Sequence, residues 1–236
     1  MQTIVVFSGA GLSAESGIPT FRDAGGLWEN HRFEEVASPE GWRRDPELVL
    51  RFYGLRHEAI AQAEPNDAHR AIADLEQRYR VINWTQNIDN LLERAGCTDV
   101  RHMHGSVFRQ KCEHHREAAS GKGWCDYLGE CPRPVQPGDL CPECGGQLRP
   151  DVVWFGESVQ FEFSEVHAMC RELEQNDGVF ICVGTSGMVQ PAASLISLFA
   201  GVRRKYLINP DAVPVGDYEL LAESASTGLR RLARVL

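Results

Sequence analysis

The chain has 236 residues, 43% of them hydrophobic, enough for one large domain or one domain carrying a smaller lobe. A formal net charge of −9 excludes a general polyanion binder, which needs a basic field, and favours cationic partners such as lysine-rich segments. Eight cysteines, no charged leader after Met1 and no apolar stretch of membrane-spanning length predict a reducing, cytoplasmic setting, where clustered cysteines hold metal rather than pair.

The apolar run Ile4 to Phe7 leads directly into GAGLSAESGIPTFR, Gly9 to Arg22. A β-branched run followed by close-spaced glycines reads as a first strand turning into a helix, with bare backbone where a phosphate approaches. Gly9 and Gly11 are followed by Gly17 and do not complete G-x-G-x-x-G, so the pattern alone fits a glycine-rich turn equally well. Ser13 and Ser16 add hydroxyls, Pro19 stiffens the exit and Arg22 brings a cation, a set that suits a pyrophosphate. Residues 24–29, AGGLWE, read as a loop able to close over a bound cofactor.

Asp45 followed by Pro46 opens a helix through Glu64, with Leu48, Phe52, Leu55 and Ala59 as its buried stripe. Tyr53 and Arg56 project from neighbouring points of it; by residue type alone they read as a partly buried tyrosine beside a solvated arginine. A further helix is predicted over 68–79. Val81 to Thr85 reads as a parallel strand delivering Gln86, Asn87 and Asp89 at its carboxyl end, where open α/β sheets bind ligands. Asn87 and Asp89 also fit as caps of a helix over 91–95. A short strand, Val100 to Met103, then delivers His104 and Gly105, with His102 close by.

From Cys112 to Cys144 the composition shifts to prolines, glycines and five cysteines, Cys112, Cys125, Cys131, Cys141 and Cys144. Cys141 and Cys144 form a Cys-x-x-Cys knuckle, half of a tetrahedral zinc site. Val152 to Trp154 is short and extended, and a helix is predicted over 164–174. A buried strand then runs into Gly184, Thr185 and Ser186, a helix follows over PAASLISLFA, and a strand ends at Asn209. The closing helix, 228–236, turns Leu229, Leu232 and Leu236 inward. Strands alternating with helices predict a doubly wound parallel sheet.

GAGLSAESGIPTFR is followed in order by TQNID (85–89), His104-Gly105, a cysteine-bearing insertion, FGE (155–157), GTS (184–186) and Asn209. This series resembles the sirtuins, the NAD-dependent protein deacylases, over nearly the whole chain. The resemblance implies an α/β fold with a Rossmann-like doubly wound parallel sheet and a smaller lobe made of a helical insertion and a zinc-ribbon-like module. The large lobe would comprise residues 1–30, 81–107 and 151–236, the small lobe 31–80 and 108–150, with substrate and NAD meeting between them.

By the same resemblance, NAD+ contacts fall on Gly9, Ala10, Gly11, Ser13, Ser16, Phe21, Arg22, Trp28, Gln86, Asn87, Asp89, Gly184, Thr185, Ser186, Asn209 and Ala225. Asn87 and Asp89 would hold the nicotinamide carboxamide and Gln86 its ribose; Gln190 and Pro210 depart from the family's residues. His104, preceding Gly105, matches the catalytic base, a role that suits a side chain titrating near neutrality. Val153, Phe155 and Gly156 would bind the acyl-lysine substrate, the segment pairing with its backbone as an added strand.

A Tyr-x-x-Arg pair such as Tyr53 and Arg56 marks the members that prefer succinyl-, malonyl- and glutaryl-lysine. A planar guanidinium suits a terminal carboxylate and the phenol adds a third hydrogen bond. A structural Zn2+ would take Cys112, Cys141 and Cys144. CEHH puts His115 where a second Cys-x-x-Cys would close, so the fourth ligand is open between His115, Cys125 and Cys131, or the site is empty. The implied reaction yields free lysine, nicotinamide and O-acyl-ADP-ribose, with acyl-lysine proteins as partners; composition predicts neither membrane nor nucleic-acid binding, and the oligomeric state is open, with a monomer expected. A plain deacetylase and an NAD hydrolase or ADP-ribosyltransferase are the competing readings.

Overall fold

Strand Thr3–Ser8 (β1) is buried at every position, and its unbroken apolar run suits a strand covered on both faces. The computed structural model describes residues 1–20, 31–116, 123–185 and 194–236, and the backbone of 27–28. After β1 come two 3-10 turns, Ala10–Leu12 and Ala14–Ser16, in place of the expected helix. Gly17 stops the second with φ 83°, a left-handed conformation open to glycine.

A short hairpin of Leu27–Trp28 (β2) and His31–Arg32 (β3) leads into Phe33–Val36 (α1), Pro39–Arg44 (α2), Pro46–Gln62 (α3) and Asp67–Leu75 (α4). Arg80–Thr85 (β4), Leu91–Ala95 (α5), Val100–His102 (β5), Gly105–Cys112 (β6), Leu128–Glu130 (β7) and Leu148–Val152 (β8) follow. The chain ends with Phe163–Gln175 (α6), Val179–Val183 (β9), Ser194–Leu198 (α7), Arg204–Ile208 (β10), Glu219–Leu221 (β11) and Ala225–Ala233 (α8).

Six strands form one sheet in the order β11-β10-β9-β1-β4-β5, every pairing parallel. Numbered along the chain this is the 3-2-1-4-5-6 order of dinucleotide-binding sheets, with its switch point between β1 and β9. Leu229 and Leu232 of α8 cover one face with Ala68, Ala71, Ile72 and Leu75 of α4. Helices α6 and α7 cover the other through Val166, Met169, Leu173, Leu195 and Ile196. Helix α4 lies in the stretch expected to join the helical insertion, yet its apolar face packs on the large sheet.

A third core joins α2 and α3 to the antiparallel sheet β7-β6-β8 and the cysteine module, through Trp42, Phe52, Tyr53, Val107, Leu148 and Trp154. Asp45 caps α3 by accepting from Leu48 N–H at 2.9 Å, as the sequence predicts. The buried face differs from the expected stripe. Val49, Phe52, Tyr53, Arg56, His57 and Ile60 face inward, whereas Leu55 is 54% exposed. No helix among the described residues is long and apolar enough to cross a membrane.

Candidate active site

Loops converge at the carboxyl ends of β1, β4, β9 and β10. Gly9 N–H donates to Val183 O at 3.0 Å, Gly11 N–H to Gly184 O at 2.8 Å, and Gly184 N–H to Ile208 O at 3.0 Å. A Cβ on Gly9 would stand 2.9 Å from Gly184 O, and one on Gly11 2.8 Å from Gly184 Cα. These glycines are therefore required by contact between two loops, a packing reason closer to the glycine-rich turn than to phosphate approach, although the partner is the 184–185 loop rather than a helix on a strand. Gly184 has φ 64°, which again favours glycine, and Ala10 stands exposed between the two tight positions. Gln86 Nε2 donates to Thr185 Oγ1 at 3.1 Å and Asn209 Nδ2 to Thr185 O at 2.8 Å. The predicted NAD loops thus hold one another.

Ser13 is the hub behind the glycine loop. Its Oγ donates to Asp89 Oδ2 at 2.8 Å and accepts from Asn87 Nδ2 at 3.2 Å, with His69 Nε2 3.4 Å away. Asn66 N–H donates to His69 Nδ1 at 3.2 Å, so the ring proton sits on Nε2 and points its donor at Ser13. Burial lowers the His69 pKa to about 4 and keeps the ring neutral. Asn66 also donates from Nδ2 to Leu12 O and Ser16 Oγ. Asn66 and His69 escaped the sequence reading; the available signal was an N-cap asparagine with histidine three residues on, in capping-box positions.

His104 follows β5, and its Nδ1–H donates to Gln86 O at 2.9 Å, leaving Nε2 with the lone pair. Burial lowers its pKa and favours the neutral imidazole, the form able to take a proton. Gly105 has φ 73°, and a Cβ there would meet Asp151 O at 1.9 Å. Val153 N–H donates to His104 O at 2.9 Å, which sets the segment after β8 beside the base. Val153 is half-buried, Phe155 is exposed with its ring 4.6 Å from that of Phe33, and Gly156 is exposed with φ 92°.

Tyr53 and Arg56, 1% and 9% exposed, lie on the inner face of α3. Both are buried, where residue type alone suggested a solvated arginine. Burial pushes the Tyr53 phenol up, so it stays a hydrogen-bond donor. Tyr53 Oη and Trp154 Nε1 are both buried without a well-formed hydrogen bond among the described residues. Beneath them the Arg149 guanidinium lies 3.6 Å from the centre of the Trp154 ring and pairs with Glu157.

Ala225 begins α8 and is buried, and the next N–H, of Ser226, donates to Glu15 Oε2 at 3.0 Å. A carboxylate of the glycine loop thus occupies that helix end. Phe21, Arg22, Ser186 and Gln190 lie outside the described residues, and Trp28 is described only through its backbone in β2.

The cysteine module resolves the open ligand. Cys112, Cys125, Cys141 and Cys144 bring their Sγ atoms within 4.8 Å of one another. The Cys112–Cys144 and Cys125–Cys141 separations are 3.4 Å and 3.6 Å, close to the ~3.8 Å edge of a tetrahedron with 2.3 Å Zn–S bonds. Four thiols without an open position suit a structural zinc. His115 lies outside this group, its backbone paired with Cys125, which arrives from beyond it. The Cys131 thiol donates to Arg133 O instead. Gly145, with φ 75°, turns the knuckle so that Gly146 N–H donates to Cys144 Sγ.

A profile of the Sir2 family matches residues 9–191. An NAD-dependent protein deacylase of Bacteroides thetaiotaomicron is 40% identical over 100% of this chain and 98% of its own length. The NAD-dependent protein deacylase Sir2 of Mycolicibacterium smegmatis is 41% identical, over 99% and 98%. Among solved structures, a Sir2 homologue in complex with NAD superposes with a TM-score of 0.82 at 40% identity, over 99% of this chain and 88% of that one. The chain belongs to the Sir2 family, and its class of activity is NAD-dependent protein deacylation.

Proposed function

We propose that the chain removes acyl groups from protein lysines with NAD, favouring succinyl and malonyl groups over acetyl, and acts in the cytoplasm. NAD would supply the ribose carbon that accepts the acyl oxygen as nicotinamide leaves, and water would then add to the acyl carbon as its bond to the lysine nitrogen breaks, so that the products are nicotinamide, free lysine and O-acyl-ADP-ribose. Asn87 and Asp89 hold the carboxamide, Gln86 the neighbouring ribose, and the Gly9–Ala10–Gly11 and Gly184–Thr185 turns the phosphates and far ribose. Ser13 and Ser16 brace the glycine loop, while Asn209 and Ala225 border the adenosine end. Phe21, Arg22, Trp28 and Ser186 complete the cofactor contacts by resemblance to the family.

His104 takes the ribose hydroxyl proton at Nε2. The observation that carries this role is its fixed tautomer: Nδ1–H is committed to Gln86 O, and burial keeps the ring neutral. Val153, Phe155 and Gly156 receive the substrate backbone and lysine stem. A Sir2 structure solved with a p53 peptide and NAD+, 26% identical with a TM-score of 0.76, supports a peptide substrate for this chain. Zinc on Cys112, Cys125, Cys141 and Cys144 supports the small module and takes no part in the chemistry.

The acidic-acyl preference rests on Tyr53 and Arg56, a buried donor and a buried cation on one helix face. A carboxylate entering there gains the charge-assisted fork of Arg56 and the phenol of Tyr53. The test compares acetyl-, succinyl-, malonyl- and glutaryl-lysine on one peptide sequence. Succinyl- or malonyl-lysine should lead in kcat/KM by tenfold or more, about 1.4 kcal/mol, and Arg56→Met should erase that lead. An acetyl-lysine lead that Arg56→Met leaves unchanged would make the enzyme a plain deacetylase.

A further inference from the structure

His102 ends β5 with its side chain 12% exposed, and the roles proposed above leave it unused. Its Nδ1 lies 2.9 Å from Asn87 O and its Nε2 2.7 Å from Glu93 Oε1. A carbonyl and a carboxylate both accept, so both ring nitrogens carry protons and the ring is an imidazolium. Two histidines leaving one strand thus grip successive carbonyls of the same turn, His104 on Gln86 O and His102 on Asn87 O.

We propose that His102 is a positioning residue for the nicotinamide end of the cofactor site, clamping the 86–89 turn through Asn87 O and placing a positive charge beside Asp89. This rests on the assignment of Asn87 and Asp89 to the carboxamide. Asp89 accepts from Ser13 Oγ through Oδ2 and from Leu91 N–H through Oδ1, so the ionised carboxylate is the form that fits. Burial pushes its pKa up, and Leu91 N–H, Ser13 and the His102 charge oppose that.

The charges around His102 are Glu93 on α5, Asp89 in the turn and Arg109 of β6, which acts on Glu93. Burial alone would lower the imidazole pKa, but the Glu93 hydrogen bond and charge, with Asn87 O and Asp89, raise it. The cation therefore persists to higher pH than in a free imidazole. Loss of Glu93 removes the largest of these supports.

The experiment compares the full chain with His102→Phe, His102→Asn, Glu93→Gln and Asp89→Asn, using an acetyl-lysine peptide. It reads KM for NAD, kcat and the nicotinamide inhibition constant from pH 6 to 9. His102→Phe should raise KM for NAD and the inhibition constant about tenfold with kcat within about twofold. His102→Asn, whose Nδ2 can donate to Asn87 O, should restore part of that loss. Glu93→Gln should match wild type at pH 6 and lose affinity at lower pH than wild type does, its midpoint moving toward or below the ordinary histidine value of about 6.5.

If Asp89→Asn shifts both constants while His102→Phe lowers only the melting temperature and Glu93→Gln shows no pH dependence, His102 is structural and the inference fails. If Asp89→Asn shifts neither, the nicotinamide assignment is wrong and the inference falls with it. Should His102→Phe not fold, the Glu93→Gln profile decides.

Discussion

His104 and His102 stand two residues apart, and their partners give them opposite protonation states. His104 is half-buried with one carbonyl as its partner and stays neutral, whereas His102 is held between a carbonyl and a carboxylate. A base whose pKa is lowered by burial remains deprotonated to lower pH, so the acid limb of kcat/KM should fall below the ordinary histidine value of about 6.5. A pH–rate profile checks this, and an acid limb at or above pH 7 would contradict it. His104 was singled out over His102 only by resemblance to the family's His-Gly pair, and Gly105 is demanded by the approach of Asp151 O. His69 was not legible, since nothing in a helical histidine announces burial against a serine 56 residues earlier.

Helix α3 shows where local pattern misleads. Its start was readable from Asp45 and Pro46, and Asp45→Ala should cost about 1 kcal/mol in chemical denaturation, with m unchanged. Its phase was not. Leu48, Phe52, Leu55 and Ala59 make an apolar stripe on paper, but the face that packs carries Tyr53, Arg56 and His57, polar residues that counting hydrophobics discards. His57 Nε2 meets Cys131 O at 2.9 Å, a contact made only once the cysteine module is in place. The glycine loop errs in the other direction, since the need for glycine was clear and its cause was not. Gly11→Ala should push Gly184 backbone aside, costing roughly 1–3 kcal/mol and raising KM for NAD. Unchanged stability and KM in that variant would show that the two loops part freely.

At the scale of the whole molecule, the alternation of strands and helices was enough to predict the parallel sheet, because each crossover needs its helix. The metal site was only half readable. Cys141 and Cys144 are local, whereas Cys125 reaches the cluster by pairing its backbone with His115, which no spacing rule encodes. Cys125→Ser should lose zinc by metal analysis and lower the melting temperature, while His115→Ala should keep both; the reverse result would return the fourth position to His115.

Stability should also report His69. Its folded pKa of about 4 lies below the unfolded value of about 6.5, so its contribution is complete above pH 6.5 and is lost as pH falls toward 4. That loss is on the order of 3 kcal/mol, and His69→Gln should flatten this part of the stability curve relative to wild type. A wild-type curve parallel to that of the variant over this range would mean the ring is not held neutral.

The most direct test of the account is a mass balance. NAD and one acyl-lysine peptide are incubated with the wild-type chain and with His104→Ala, and nicotinamide, deacylated peptide and O-acyl-ADP-ribose are quantified together. Equal molar yields of all three are expected from wild type, with deacylation lost from His104→Ala. ADP-ribose and nicotinamide forming while the acylated peptide stays intact would contradict it and make the chain an NAD hydrolase.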